Sequence, residues 1–151
     1  MSNIMPTYEQ LDILCDAINP VLFLLASIQA FYYWVLLPGA KLGITRLRPC
    51  IFFGIALIIV YALKAIDTQL KIWALFSSDY STHTAFALAT ATALFRQQRY
   101  WAWYVIVAIY ALLMQYQNYH TFTDIVSTAA VIFVLLKLVG KCPRLRCKPP
   151  S

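Results

Sequence analysis

Charged residues are scarce in this chain. Only 12% of its 151 residues are Asp, Glu, Lys or Arg, and the mean hydropathy is +0.69. This composition excludes an ordinary soluble domain, whose surface must be wetted by water. Histidine is scarcer still, because His83 and His120 are the only two. The four cysteines suggest neither an obvious disulfide nor a zinc motif.

Hydrophobic residues make up 62% of the chain and fall into five runs. A membrane helix needs about 20 apolar residues to cross a hydrocarbon core of about 30 Å. We therefore predict an all-α polytopic membrane bundle of about five transmembrane helices, forming a single domain over residues 1–151 with a motif-bearing core at 50–139. The predicted spans are Ile18–Leu37, Cys50–Ile66, Thr82–Phe95, Trp101–Met114 and Ile125–Val139.

Three local features refine this prediction. Residues 6–17 suit either an N-terminal interfacial helix or an extension of the first span. Residues 70–76 and 115–119 are expected to extend the short third and fourth spans. The third span is rich in alanine and threonine, which predicts a narrow helix at the packed centre of the bundle.

Charge placement predicts the orientation. With these spans, ten of the twelve basic residues fall on one side and all six acidic residues fall on the other. Basic loops stay cytoplasmic, so the N-terminus is expected outside and the tail at 140–151 inside. The +6 net charge is then explained by attraction to anionic lipid headgroups, and nucleic acid is not an expected partner.

Polar residues collect at the predicted outer edge of the membrane, on three separate segments. Ionisable groups near hydrocarbon are costly unless they face a cavity or a partner, so their convergence predicts a functional site. Each has an ordinary alternative: lysines snorkel, Asp124 caps the last helix, and a lone histidine is usually a buried hydrogen-bonding group. The residues concerned are Lys64, Asp67 and Lys71, the segment Asp79–His83, and His120 with Asp124.

Two histidines and a carboxylate are a set that phosphoryl transfer can use. An imidazole attacks phosphorus through a deprotonated nitrogen, and a carboxylate bonded to its other nitrogen fixes that tautomer. His120 and Asp124 are four residues apart and share a helix face. A second histidine can protonate the departing oxygen.

These segments resemble the motifs of the type 2 phosphatidic acid phosphatase superfamily, which read Lys-x6-Arg-Pro, Pro-Ser-Gly-His and Ser-Arg-x5-His-x3-Asp. The first would run from Lys64 to Ile72, with Lys71 in place of Arg. The second would be Tyr80-Ser81-Thr82-His83, and the third keeps His120 and Asp124. Segments 81–84 and 120–124 also approach those of the branch similar to sphingomyelin synthase.

The sequence departs from these motifs at several positions. Ile72 and Tyr80 stand where the family has proline, and Thr82 stands in place of glycine. Leu113 and Met114 occupy the Ser-Arg positions of the third motif, so the phosphate-binding arginine of the family is absent. Lysine lacks the planar double donor of arginine, so weaker control of the phosphate is expected.

The resemblance implies a role for each residue. His120 would be the nucleophile that forms a phosphohistidine, Asp124 its orienter, and His83 the acid for the leaving group and then the base for the acceptor. The phosphate would be held by Lys64, Lys71, Ser81 and Thr82. Neither a metal nor another cofactor is required by such a mechanism.

We therefore expect a membrane lipid phosphatase acting on a lipid-linked phosphate or pyrophosphate, a phospholipid or a polyprenyl phosphate, at the outer face. The expected location is a bacterial inner membrane with the site on the periplasmic side. The alternatives are a headgroup phosphotransferase, and a noncatalytic protein that binds a lipid or a membrane partner. Bis-histidine haem binding is disfavoured by the nearby carboxylate and lysines.

Overall fold

The computed structural model describes residues 8–35, 44–98, 100–142 and 145, and within them every regular element is a helix. The five α-helices are α1 Tyr8–Val35, α2 Ile44–Leu70, α3 Thr82–Gln98, α4 Ala102–Tyr116 and α5 Phe122–Lys141, with a 3-10 turn at Trp73–Phe76 between α2 and α3. The predicted all-helical bundle of five helices is confirmed.

The helix boundaries differ from the predicted spans mainly at α1 and α2. Helix α1 is continuous from Tyr8 and passes through Pro20, so the N-terminal segment extends the first span and a separate interfacial helix is not formed by its described part. Residues 6–7 and 36–37 of the prediction lie outside the described residues. Helix α2 runs to Leu70, because Lys64 to Leu70 continue the helical pattern beyond the apolar run.

Residues 70–76 do not extend α3, and that expectation was wrong. Helix α2 ends at Leu70, and Lys71 takes a left-handed conformation with φ of 49°. The Asp67 carboxylate then accepts a hydrogen bond from the Trp73 backbone N–H at 2.9 Å, which holds the chain in the 3-10 turn that follows. Helix α4 does continue past the predicted span, as far as Tyr116.

Helix α3 is the centre of the bundle, as predicted from its small side chains. It packs against each of the other four helices. Its inward-facing alanines are fully buried or nearly so, because a short side chain lets neighbouring helices approach closely. They are Ala85, Ala87, Ala89, Ala91 and Ala93.

Within the part of the chain that the structure describes, three helices have the length and hydropathy needed to cross a membrane: Gln10–Val35, Leu47–Leu70 and Phe122–Lys141. Helix α4 is apolar but shorter, at 15 residues, and the 17-residue α3 is enclosed by the others. Large apolar side chains such as Leu24, Ile28 and Ile58 are exposed on the outside of the bundle. An exposed apolar surface of this extent is the surface of a protein that sits in a lipid bilayer.

The two ends of the bundle differ in chemistry. At one end, Tyr119 in the loop between α4 and α5 donates a hydrogen bond to Asp12 of α1. We call this the histidine end, since His83 and His120 lie there. Arg96 of α3, whose guanidinium donates to the Leu145 carbonyl, marks the opposite end, here called the basic end.

Candidate functional site

The candidate site is formed where α3 and α5 begin. Thr121 caps α5 with a reciprocal pair of hydrogen bonds: its side chain accepts from the Asp124 N–H, and the Asp124 carboxylate accepts from the Thr121 N–H. This capping box satisfies two N–H groups that a helix leaves unpaired at its start. It also fixes the segment that carries His120, immediately before the cap.

Asp124 does more than cap its own helix. Its Oδ1 accepts hydrogen bonds from the Ser78 hydroxyl and the Asp79 N–H, both at 2.7 Å, while Oδ2 accepts from the Thr121 N–H at 2.9 Å. The side chain is buried, and these three donors compensate the desolvation of its carboxylate. Asp124 joins the loop before α3 to the start of α5, which brings the second and third motif segments together.

His120 lies beside this carboxylate without bonding to it. Its Nδ1 is 3.9 Å from Oδ2 of Asp124, which is longer than a hydrogen bond. Burial lowers the pKa of His120, and the neighbouring His83 and Lys64 act in the same direction, while the Asp124 and Asp79 carboxylates oppose them. Burial is the largest of these effects, so the imidazole is neutral near pH 7, the form that a nucleophile requires.

His83 faces His120 from the first turn of α3. The two ring centres are 6.5 Å apart and the planes are tilted by 51°. The Nδ1 atom of His83 lies 3.4 Å from the Asn19 amide nitrogen and 3.3 Å from the Tyr110 hydroxyl, and Asn19 also donates to Tyr110 at 3.2 Å. These three side chains from α1, α3 and α4 form a closed triangle that engages Nδ1 and leaves Nε2 for a ligand.

A cavity of about 580 Å³ lies between α1, α2 and α3, with His83 in its wall. Its apolar lining comes from Pro20, Phe23, Leu57 and Phe86. The volume is within the usual range for small-molecule and cofactor sites, about 300–1,000 Å³, and such sites combine an apolar wall with a few polar groups. The lining of this cavity is therefore mainly apolar, with one of the two histidines at its side.

The polar part of the cavity wall comes from Asn19, Tyr61, Thr82 and His83. Two of these four, Thr82 and His83, belong to the start of α3, whereas Asn19 and Tyr61 lie inside α1 and α2. Thr82 is half-buried and lies next to His83 in sequence, so a ligand in this cavity is placed within reach of both side chains.

The other predicted phosphate contacts are placed very differently from one another. Lys64 is exposed on α2 and close enough to His120 for its charge to affect that pKa. Lys71 is exposed in the turn after α2, and none of the contacts found among the described residues joins it to either histidine. Ser81 is fully buried, and its hydroxyl is hydrogen-bonded to Thr84 at 2.8 Å. The structure thus brings Lys64 and Thr82 to the histidines and leaves Lys71 and Ser81 out.

The structure shows the surroundings of two residues at which the sequence departs from the family motifs. Tyr80, in place of proline, is buried, packs edge-on against Trp73 and donates to the Val60 carbonyl at 2.9 Å. Met114, in place of the phosphate-binding arginine, is only 2% exposed. Its side chain belongs to the core, so this position does not offer a charge to the site.

Sequence reasoning missed Asn19, Tyr110 and Ser78. Ser78 immediately precedes the Asp79 motif segment, and an asparagine inside an otherwise apolar helix is costly enough to be a signal by itself. Tyr110 carries no such signal, because a tyrosine in an apolar run looks like any core aromatic. Among the described residues, no group of three or more His, Cys, Asp or Glu side chains is placed to hold a metal ion.

Comparison with known proteins gives no match of this chain to a protein-family model, to a curated protein or to a solved structure. The resemblance to the phosphatase superfamily therefore depends on the short motif segments alone.

Proposed function

We propose that this protein is a membrane enzyme that breaks the phosphoester bond of a lipid-linked phosphate or pyrophosphate through a phosphohistidine on His120. One observation carries the proposal: the two histidine rings face each other at 6.5 Å, at one end of a membrane bundle and beside an apolar cavity. Reacting atoms approach to about 3–3.5 Å before bond formation. The gap therefore accommodates one phosphoryl group between the rings.

In the first step the neutral His120 attacks phosphorus, the N–P bond forms, and the P–O bond to the lipid breaks. His83, protonated, gives its proton to the departing oxygen through Nε2. Asp124, 3.9 Å from His120, stabilises the positive charge that develops on that ring, and it acts through the field of its carboxylate because no hydrogen bond joins them. In the second step His83 removes a proton from the acceptor, the acceptor oxygen forms a bond to phosphorus, and the N–P bond to His120 breaks; with water as the acceptor the product is free phosphate.

The phosphate oxygens need donors as their charge grows. Lys64 and Thr82 would take this role: the charge of Lys64 acts on the pKa of His120, and Thr82 lines the cavity beside His83. Lys71 is not given this role, because no contact found among the described residues joins it to either histidine. Ser81 is not given it either, because its side chain is buried and its hydroxyl is already hydrogen-bonded to Thr84. With no arginine in the site, slow turnover is expected.

The proposed orientation puts the histidine end outside, on the periplasmic side of a bacterial inner membrane. Its support is the sorting of charge: Asp12, Asp79 and Asp124 lie at the histidine end, whereas Arg96 and Lys141 lie toward the basic end. Basic termini of membrane helices stay cytoplasmic.

Phosphate release from lipid phosphates is the direct test. Purified protein in lipid nanodiscs is given phosphatidic acid, phosphatidylglycerol phosphate, a polyprenyl pyrophosphate and a lipid A phosphate, each labelled in the phosphoryl group. We expect His120→Gln to lower release by at least about a hundredfold and to remove the acid-labile, base-stable label on the protein. Gln69→Ala, an exposed change on α2, is the matched control and should behave as wild type.

Retention of phosphate release by His120→Gln would remove the proposed nucleophile. Loss of release with a covalent label still present on another residue would move the nucleophile and keep the reaction class.

A noncatalytic lipid-binding protein is the second candidate, and one observation favours it. Met114 and Ser81, at two positions where the family binds phosphate, are buried in the core. Wild-type protein that releases no phosphate from any lipid of the panel, yet retains bound lipid through purification, would support this function over the first.

A further inference from the structure

The triangle of Asn19, His83 and Tyr110 contains a polar atom without a partner. The amide nitrogen of Asn19 lies 3.2 Å from the Tyr110 hydroxyl and 3.4 Å from Nδ1 of His83. The amide oxygen is buried, and among the described residues no hydrogen-bond donor reaches it. A buried acceptor without a donor destabilises a fold, so this orientation of the amide is unfavourable.

Turning the amide over gives its oxygen two donors. The oxygen and nitrogen of an amide have nearly the same shape, so a half-turn exchanges them without moving a neighbour. The oxygen then accepts from the Tyr110 hydroxyl at 3.2 Å and from an N–H at Nδ1 of His83 at 3.4 Å. The Tyr110 oxygen, 3.3 Å from Nδ1, is a second acceptor for the same hydrogen. Both distances from Nδ1 suit a hydrogen shared between two acceptors.

The displaced NH2 group of Asn19 has an acceptor on its own helix. Pro20 has no N–H, so the Asp16 carbonyl lacks the donor that a regular helix would supply. Asparagine side chains donate to carbonyls three or four residues earlier in a helix, which is where Asp16 stands relative to Asn19. Only the turned orientation therefore provides partners for both ends of the amide.

A hydrogen on Nδ1 of His83 decides the state of the other ring nitrogen. Neutral imidazole carries a single hydrogen, so Nε2 then has a free lone pair. In water the neutral ring prefers to carry its hydrogen on Nε2, and the two acceptors reverse that preference. Tyr110 is only 2% exposed, which keeps water from competing at Nδ1, whereas no hydrogen bond found among the described residues engages Nε2.

We propose that Asn19 and Tyr110 are positioning residues that hold a proton on Nδ1 of His83, so that Nε2 is the atom that exchanges protons. The preference for one tautomer does not depend on any reaction. Its catalytic meaning rests on the proposed function, in which His83 acts first as an acid and then as a base.

Both steps of that reaction need the Nδ1 proton to stay in place. In the first step the imidazolium of His83 gives its Nε2 proton to the departing oxygen, which leaves the neutral Nδ1–H form. In the second step the Nε2 lone pair takes the proton of the acceptor, and the imidazolium forms again. A ring that had converted to the Nε2–H form has no lone pair at Nε2, so it cannot act as the base. Loss of the positioning residues should therefore slow the second step more than the first.

Nuclear magnetic resonance of the imidazole nitrogens tests the tautomer without relying on turnover. The chain has only two histidines, so the protein labelled with 15N-histidine in nanodiscs gives two ring signals, and His120→Gln leaves that of His83 alone. The pH is raised until the shifts stop changing, so that the neutral ring is observed. We expect the His83 ring to carry its hydrogen on Nδ1.

Three variants and a control show which residues hold that proton. Tyr110→Phe and Asn19→Leu should each shift the tautomer ratio about tenfold toward Nε2–H, the fold-change of one hydrogen bond. Asn19→Asp keeps an acceptor and should retain the Nδ1–H form. Tyr104→Phe is the matched control, because it removes an α4 hydroxyl that contacts Thr92. Helicity and elution volume of all variants are compared with wild type.

A second readout separates positioning from a merely structural role. With a labelled lipid phosphate, Tyr110→Phe should slow phosphate release about tenfold while the phosphohistidine on His120 accumulates, since only the second step is slowed. Tyr104→Phe should leave both unchanged. A general loss of structure would instead lower release and covalent label together.

An Nε2–H ring in the wild type, or an Nδ1–H ring that survives both Tyr110→Phe and Asn19→Leu, would overturn the inference. The expected tautomers in a protein that releases no phosphate would uphold the positioning role and defeat the proposed enzyme. Phosphate release by a wild type with the Nε2–H ring would uphold the enzyme and defeat the positioning role. Should Asn19→Leu fail to fold, Tyr110→Phe and Asn19→Asp decide the same question.

Discussion

The two ends of the bundle are held together in opposite ways. At the histidine end, one carboxylate, Asp124, binds the Ser78 hydroxyl and two backbone N–H groups, from Asp79 and Thr121. At the basic end one cation, Arg96, stacks on Phe52 and donates to the Leu145 carbonyl. Both oxygens of the carboxylate accept hydrogen bonds, whereas among the described residues the guanidinium makes one hydrogen bond and one ring contact.

The contacts of the histidine end therefore stabilise the fold and also position the candidate site. The loop before α3 has little regular structure of its own, and Asp124 supplies the bonds that a helix would otherwise make. Removing that carboxylate should therefore disturb the placement of both histidines. Removing Arg96 should affect stability alone, because the basic end contains neither.

The largest expected effect is that of Asp124→Ala. It leaves the Ser78, Asp79 and Thr121 donors without their acceptor, and hydrogen bonds to a charged group contribute about 1.5–3 kcal/mol each before relaxation. We expect a loss of about 3 kcal/mol or more in the free energy of unfolding, measured by thermal unfolding in detergent. Asp124→Asn, which keeps one acceptor oxygen, should lose less.

If Asp124→Ala unfolded at the wild-type temperature, the prediction that this carboxylate stabilises the histidine end would be wrong. If Asp124→Ala lost phosphate release but kept the stability of the wild type, Asp124 would act in the reaction and not in stabilising the fold.

A smaller effect is expected from Gly140→Ala at the basic end. A Cβ atom at this position would clash with an Arg96 guanidinium nitrogen, so the Arg96 side chain must move. Because the guanidinium is the flexible end of a long side chain, the cost is that of its displaced contacts, about 1 kcal/mol.

The double variant Gly140→Ala with Arg96→Ala gives the check. With the guanidinium already gone, the added methyl group should cost almost nothing, and the two single effects should not add. Full additivity in thermal unfolding would show that Gly140 is needed for another reason. Phosphate release, where present, should survive all three variants.

The smallest effect concerns pH. Burial holds the pKa of His120 below its ordinary value of 6.5, so the unfolded chain takes up a proton on this residue more readily than the folded one. Its contribution to stability is therefore complete above about pH 6.5 and is lost as pH falls through the folded pKa. Comparing wild type with His120→Gln by thermal unfolding across pH 5 to 8 isolates this residue, since the variant cannot titrate there.

A difference between wild type and His120→Gln that stays constant over this pH range would mean that the folded pKa is not lowered. Phosphate release by the wild type should likewise persist as pH falls below 6.5 toward the folded pKa of His120, because the attacking imidazole is neutral above that pKa.

Much of the fold could be predicted because lipid imposes a simple rule. A helix is the only open segment that satisfies its own backbone in hydrocarbon, so the apolar runs predicted the five helices and the alanines predicted that α3 lies at the centre. The ends of the helices could not be fixed in this way. Lys71 shows why: its left-handed turn depends on the loop that follows, where Asp67 binds the Trp73 N–H.

The candidate site was predictable in part for a similar reason. The sequence predicted His83, His120 and Asp124 as polar site residues near helix starts. It also predicted both Ser81 and Thr82 as phosphate contacts and did not distinguish between them. Only the fold separates them, since Ser81 turns into the core and Thr82 lines the cavity. The direction of a side chain at a helix start depends on how that helix is rotated against its neighbours.

The sequence by itself determined the helical membrane class, the number of helices and the sorting of charge between their ends, because these follow from hydropathy and from the position of each residue along its own helix. The tertiary structure decided the rest. It brought Asn19 and Tyr110 into contact with His83 and placed Met114 in the core. It also directed both carboxylate oxygens of Asp124 to hydrogen-bond donors in the loops before α3 and α5. Contacts between residues far apart in the chain depend on the rotation and depth of each helix, which only packing fixes.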